Sequence, residues 1–465
     1  MSEVVTEPAI SADPPRETAL TALEEAYRRI AGDQRFLVRH GGRVSEVSPT
    51  HYSVRGLSET ARLGDVVSRQ ARRGGIAGAG EIVRIAQDSV LVAPYEEAGA
   101  VGLGEAVFNR GQLSLAPSPA WRGRVIDALG RPADGKPIPG GASSATGGAP
   151  VTPPAMQRQR VSEAFRTGVR VIDIFTPLCH GQRLGVFAGS GVGKSTLLSM
   201  LANADAFDTV VIALVGERGR EVREFLEDTI GQQGMTKSVA VVATSDESAM
   251  MRRRAPDTAM SVAEYFRDRG DKVLLIVDSI TRFAHALREV AIGAGEPPVA
   301  RGYPASVFTE LPRLLERAGP GETGRGSITA ILSVLVDGDD HNDPVADAVR
   351  GILDGHVVLD RAIAEQGRFP PVNPLASISR LAERAWKPDE KRLVTRLRAM
   401  IARFEDTRDI RLLGAYQPGN DADLDQAVRQ IPLIYDALTQ SPNDPRSTDP
   451  FTDLAMKLKA GEPVQ

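Results

Sequence analysis

The stretch FAGSGVGKSTLL, residues 187–198, constrains this chain more than any other. Its glycines, Gly189, Gly191 and Gly193, let a backbone turn its N–H groups inward around phosphate oxygens. The apolar run RLGVFA before it reads as a strand and the segment from Lys194 as a helix, whose N-terminus adds its positive dipole end. In such a loop, Lys194 lies against the β- and γ-phosphates and the Ser195 hydroxyl holds Mg²⁺. With Ala188, Ser190, Val192 and Thr196 these residues form the expected nucleotide-binding segment. The strict pattern has glycine where this chain has Ala188, the least demanding position of the loop. Motors, rotors, helicases and kinases all carry this device, so the rest of the chain must decide among them.

A phosphate loop needs a sheet to hold it. Between about 165 and 380 the runs DTVVIALVGE, SVAVVATS, KVLLIVDS and SITAILSVLV alternate with helical stretches, which predicts a parallel sheet covered on both faces. Residues 33–110 are short β-like pieces broken by glycine and predict a small barrel or sandwich. A Gly/Pro/Ser/Ala-rich link over 130–155 marks a boundary, and beyond 385 the pattern is helical. Ahead of all this, Leu20, Leu23, Tyr27 and Ile30 share one face of a helix, with Glu24, Glu25, Arg28 and Arg29 on the other. That face either packs on its own domain or is offered to a partner.

At 465 residues the chain is too long for one core, and a 42% hydrophobic, 25% charged composition is that of a water-soluble globular protein. A net charge of -4 argues against a nucleic-acid coat. Cys179 stands alone, which excludes an internal disulfide and a thiol metal cluster and predicts a buried small hydrophobe. The acidic, proline-bearing N-terminus does not read as a secretory signal, and no apolar run approaches the ~20 residues needed to span a bilayer.

Four further positions bear on the chemistry. Asp278 ends the strand KVLLIVD and can fix the water shell of Mg²⁺. Glu217 follows the strand of ALVGERGRE; it is either a base for an attacking water or a salt-bridge partner of Arg218 or Arg220. Arg380, far along the chain from the loop, is either an ordinary surface arginine or one that acts on a phosphate in trans, across a subunit boundary. Phe369 in GRFPPVNP and Tyr416 in GAYQPG either stack an adenine face or anchor their loops.

Taken together, GSGVGKST, GERGRE, LLIVDSITRF, RGYPASVFTELPRLLERAG, DDHNDPVAD, ILDGHVVLDRAIAEQGRFP and ASISR resemble, in order and spacing, the flagellum-specific export ATPases. These belong to the wider group of F1/V1-type rotary ATPase subunits and type III secretion ATPases. The match runs from roughly 33 to 440, and DDHNDPVAD followed by ILDGHVVLDR is similar to the flagellar branch. The resemblance implies an α/β fold: a RecA-like P-loop core over 111–385, an N-terminal β-barrel over 33–110, a helical C-terminal domain over 386–465, and a tail with a partner-binding helix over 1–32. It implies Lys194 and Ser195 on phosphate and magnesium, Asp278 as the second magnesium-side carboxylate, and Glu217 as the water-activating base. Arg218 becomes a phosphate-side contact, Arg380 a finger supplied by the next subunit, and Phe369 and Tyr416 the adenine-side aromatics.

The resemblance also implies a Mg²⁺-dependent ATPase in a homo-hexamer, cytoplasmic and peripheral at the inner face of the cytoplasmic membrane. Its partners would be a peripheral regulator on the stretch 16–31, export-gate proteins and chaperone–substrate complexes, with no nucleic acid. A virulence-type secretion ATPase is the nearest alternative and a catalytic rotary synthase subunit the next. An RNA translocase would want clustered aromatics in the β-region, and residues 33–105 offer only Phe36, Tyr52 and Tyr95, in no clustered pattern. A non-catalytic ring subunit would lack Glu217. The tail after about 440 carries no resemblance of use.

Overall fold

The computed structural model describes residues 20, 21, 23, 40–70, 76–96, 101–137, 154, 156–161, 163–336 and 343–460. Of the amphipathic stretch 16–31 only Leu20, Thr21 and Leu23 are among these; they are helical, with both leucines exposed. The rest of that stretch, Phe36 and most of the link over 138–155 lie outside the described residues.

The β-rich region is a barrel, not a sandwich. Strands β1 (Gly41–Val47), β2 (Tyr52–Arg55), β3 (Asp65–Gln70), β4 (Ile76–Ile85), β5 (Val90–Pro94) and β6 (Ala106–Gln112) pair in the closed order β1-β2-β5-β4-β3-β6. Alternation sends Tyr52, Val54, Val67, Ile82, Val90, Val92 and Val107 inward. Gly42 is required where β1 meets β2, because a Cβ there would lie 2.3 Å from the Arg55 carbonyl oxygen. Tyr52 and Tyr95 are buried, so neither offers a face for stacking an RNA base.

The central sheet contains β7 (Arg124–Asp127), β8 (Arg183–Ala188), β9 (Thr209–Val215), β10 (Ser238–Ala243), β11 (Lys272–Asp278), β12 (Ser327–Leu335), β13 (Gly355–Val358) and β14 (Ile378–Ser379). Their order is β14-β13-β8-β12-β11-β9-β10-β7, and every neighbour along it is parallel except β14, which runs antiparallel to β13. The apolar runs supply both faces by alternation. Val211, Ala213 and Val215 of β9 enter one core with α2 (Ala249–Asp268) and α3 (Ile280–Gly293). Val210, Ile212 and Leu214 enter the other with α1 (Lys194–Ala202).

That second core continues into the C-terminal helices. Val394, Leu397 and Ile401 of α4 (Pro388–Asp406) and Ala427, Ile431 and Ile434 of α5 (Ala422–Leu438) belong to it. Residues after 440, which the sequence left without a role, form α6 (Pro450–Ala460), whose Leu454 is buried in the same core. Cys179 is buried, and burial raises its thiol pKa.

The barrel is joined to the core through a buried carboxylate. Glu81 of β4, 3% exposed, accepts from the Tyr95 hydroxyl at 2.9 Å and faces Arg254 at 3.4 Å and Arg253 at 3.7 Å on α2. Removing one partner of such a group leaves buried charge uncompensated, so Glu81→Ala is expected to lose about 3 kcal/mol. A fall in thermal midpoint with unchanged helix content measures it, and an unshifted midpoint would contradict it.

Candidate active site

The phosphate loop lies where the sequence places it. β8 ends at Ala188, the chain turns through Gly189–Gly193, and α1 begins at Lys194. Gly191 and Gly193 take positive φ values of 76° and 107°, which their lack of a Cβ permits. No side chain caps α1, so its first-turn N–H groups are left for a ligand, and a Cβ on Gly191 would meet nothing within 4 Å. Ser190, Gly191, Ser195 and Thr196 are exposed, while Ala188, Gly189 and Val192 are buried beneath them.

Because β8, β12, β11 and β9 are parallel neighbours, their C-terminal ends gather at one edge. Asp278 there lies 2.5 Å from the Lys194 Nζ through Oδ1, and the buried Ser333 hydroxyl donates to the same oxygen at 2.6 Å. Glu217 Oε1 is 3.9 Å from the same Nζ. Its segment is held at both sides: the Gly216 N–H donates to the Ala243 carbonyl, and the Glu217 carbonyl accepts from the Ser245 N–H. The arginines that offered Glu217 a salt bridge face other groups, Arg218 to Glu221 at 3.4 Å and Arg220 to Glu224 at 3.3 Å. Burial raises the Glu217 pKa, and the Asp278 charge adds to the rise against the opposing pull of Lys194 and Arg282.

A second group of residues stands above the loop. A Cβ on Gly193 would lie 3.6 Å from Pro371 Cδ and 4.0 Å from Phe369 Cδ1, so these rings overhang the start of α1. Phe369 is 46% exposed and lines a pocket with Val171, Pro370, Val372, Tyr435 and Leu438. Tyr416 is not among the lining residues; its hydroxyl donates to Asp425 at 2.6 Å in the helical domain. The aromatic that shares the pocket with Phe369 is therefore Tyr435. Its place in the apolar face of IPLIYDAL reads as ordinary helix core, so no local pattern singles it out. Arg361 was missed too: its Nη2 donates to the Ser190 carbonyl at 3.0 Å and braces the loop from outside.

The two remaining arginines stand apart from this edge. The Arg218 side chain is 79% exposed. Arg380 follows β14, and its N–H donates to the carbonyl of Asp354, whose carboxylate pairs with Arg183 at 3.2 Å. Arg183 begins β8 and the phosphate loop follows its end, so Arg380 sits roughly 17 Å from its own loop at ~3.3 Å per strand residue.

Among the described residues no cluster of three or more His, Cys, Asp or Glu can hold a metal ion unaided. The donors at this edge are a hydroxyl, Ser195, and a carboxylate, Asp278. That pair suits Mg²⁺, which takes few protein ligands and completes its shell with phosphate oxygens and water.

The chain is similar to known proteins in sequence and fold. The nucleotide-binding domain of the ATP synthase alpha/beta family matches residues 168–379, and the T3SS EscN ATPase C-terminal domain matches 386–459. The second match takes in the tail as far as residue 459, where the sequence alone carried no usable resemblance. A flagellum-specific ATP synthase of Rhizobium meliloti (strain 1021) is 61% identical over 443 residues, which cover 95% of this chain and 94% of that one. The assembled ATPase EscN from the enteropathogenic E. coli type III secretion system superposes with a TM-score of 0.81 at 37% identity, covering 90% of this chain and all of that one. EscN in complex with its central stalk EscO superposes with a TM-score of 0.79 at the same identity and coverage of this chain. With its barrel, its nucleotide-binding sheet and its C-terminal helices all accounted for, the chain belongs to the flagellar and type III secretion ATPase family.

Proposed function

We propose that this chain hydrolyses ATP to drive the export of flagellar proteins, releasing chaperones and unfolding cargo at an export gate. The observation that carries the reading is the meeting of Asp278 and Glu217 within 3.9 Å of the Lys194 Nζ at the mouth of an uncapped helix N-terminus. The loop from Ala188 to Thr196 holds the triphosphate through its backbone, with Lys194 moving from Asp278 onto the β- and γ-phosphates. Ser195 and Asp278 would hold Mg²⁺, which would supply neutralisation of phosphate charge. Glu217 orients an attacking water and takes its proton, and Phe369 lies against the adenine.

A ring of six subunits gives Arg380 its role, since a finger too far from its own loop can serve the neighbour's. Arg218 then meets phosphate only on ring closure, and Tyr416 serves the base only if its loop moves toward Phe369. The assembly of the relative EscN, and its complex with a central stalk, support a ring and a stalk partner. A regulator on residues 16–31 and peripheral attachment to the inner face of the cytoplasmic membrane complete the proposal. No helix among the described residues is long and apolar enough to cross a membrane. The flagellar branch is preferred because identity to a flagellum-specific relative is 61%, against 43–44% to type 3 secretion system ATPases.

The test is motility and secreted flagellin in a strain carrying chromosomal Glu217→Gln at normal protein level. Loss of both with growth intact is expected; normal swimming would overturn the proposal. A second expectation concerns pH. The working form of Glu217 is the ionised one, and its pKa is raised, so kcat/KM should fall on acidification through a limb above the ordinary glutamate value of about 4.3. A pH–rate profile with no limb above that value would contradict the role.

A further inference from the structure

Gln440 lies where three segments cross. Its backbone N–H donates to the Phe369 carbonyl at 2.7 Å. Its side-chain Nε2 donates to the Gly168 carbonyl at 2.9 Å, and its Oε1 accepts from the Arg170 N–H at 3.0 Å. The residue is 3% exposed and both ends of its amide are used, so the side chain has one satisfied arrangement. Just before it, the carbonyl of Thr439, which ends α5, accepts from Arg170 Nη2 at 2.6 Å. The far side of this knot is fixed as well, because the buried Asp173 accepts from the Thr167 and Gly168 N–H groups.

A second grip acts on the neighbouring residue. The Arg368 guanidinium stacks 3.7 Å over the Tyr435 ring of α5, and the Tyr435 hydroxyl donates to Glu405 of α4 at 2.6 Å. The segment 368–369 is thus held from below by the helical domain, while its Phe369 ring and the nearby Pro371 face Gly193 of the phosphate loop.

We propose that Gln440 is a positioning residue for the nucleotide base: from the helical domain it sets where Phe369 stands over the phosphate loop. The inference rests on the reading of Phe369 as the base-contacting aromatic. An aromatic face discriminates bases by stacking, which favours the larger purine. Lys194, Asp278 and Glu217 stand on other segments and share no hydrogen bond with residue 440 among the described residues. Freeing Gln440 therefore affects base selection and leaves phosphate chemistry in place.

The test uses the full chain carrying Gln440→Met, which keeps the length and the backbone donor but removes both amide bonds. Steady-state ATP and UTP hydrolysis are measured beside Phe369→Ala. The expected result is a KM for ATP raised about tenfold, the order a displaced base–aromatic stack would lose, with kcat within about twofold and the ATP-to-UTP ratio of kcat/KM falling. Phe369→Ala should lower the same ratio. If Phe369→Ala lowers it and Gln440→Met does not, the inference is overturned while the Phe369 reading stands. If neither lowers it, the Phe369 reading fails and the inference with it. An equal loss of kcat for both nucleotides with a lowered thermal midpoint would mark a purely structural role and overturn the inference. Should the methionine variant not fold, Gln440→Glu tests the same point, since it still accepts from Arg170 but has no N–H for Gly168.

Discussion

Glu217→Gln is expected to lower the ATP turnover of the purified protein about 10³-fold while nucleotide affinity stays within a few-fold. The amide keeps the shape of the carboxylate and still orients a water but cannot take its proton. A factor of that size corresponds to roughly 4 kcal/mol of barrier. Affinity survives because the phosphate-binding parts do not depend on Glu217. Lys194 is held at 2.5 Å by Asp278, against 3.9 Å by Glu217, and Asp278 is itself fixed by Ser333. Removing one of two neighbouring carboxylates also relieves the repulsion that lifts the Glu217 pKa, so the variant's loop should be no less ordered. Steady-state hydrolysis and equilibrium binding of a fluorescent ATP analogue measure the two quantities separately. Turnover above about a tenth of wild type would remove Glu217 as the base, since a positioned base contributes 10²–10⁴. A large loss of affinity would instead make it a structural partner of Lys194.

How far the sequence carried depended on whether a residue's surroundings are local. The phosphate loop was legible because strand, glycines and helix start are contiguous, and Asp278 because five apolar residues run straight into it. Alternating burial of Val210 through Val215 on the two faces followed from a continuous apolar run in a parallel sheet. Closure of the barrel was not legible, because the pairing of β1 with β6 joins residues more than 60 apart. Nor was the floor of the Phe369 pocket. Tyr435 reads as one more apolar position of an amphipathic helix, and only the docking of α5 under residue 369 makes it a neighbour of Phe369. Tyr416, beside glycine and proline in a loop, looked the better partner, yet its hydroxyl is committed to Asp425. Arg361 was passed over for the opposite reason: it lies within a recognisable stretch, but its contact with Ser190 spans 171 positions.

Arg380→Ala should abolish hydrolysis nearly as completely, by about 10³-fold or more, and the loss should be repairable by a subunit that is itself dead. The geometry makes the case. β14 runs antiparallel to β13, so the chain leaves it at the end of the sheet where β8 begins, beside Asp354 and Arg183, roughly 17 Å from the loop at ~3.3 Å per residue. An arginine so placed cannot touch a γ-phosphate on its own loop without rebuilding the sheet edge. In a ring it can meet the loop of the next subunit. Lys194→Ala lacks the phosphate contact but keeps Arg380, and Arg380→Ala lacks the finger but keeps Lys194. Mixed together, the two inactive variants create some interfaces with an intact loop on one side and an intact finger on the other. Activity in the mixture well above either variant alone, rising with protein concentration as rings assemble, is the expected outcome. An inactive mixture, in which labelled subunits are shown to co-assemble, would mean that Arg380 does not act between subunits. If Arg380→Ala alone keeps near-normal turnover, the residue is an ordinary exposed arginine at a sheet edge.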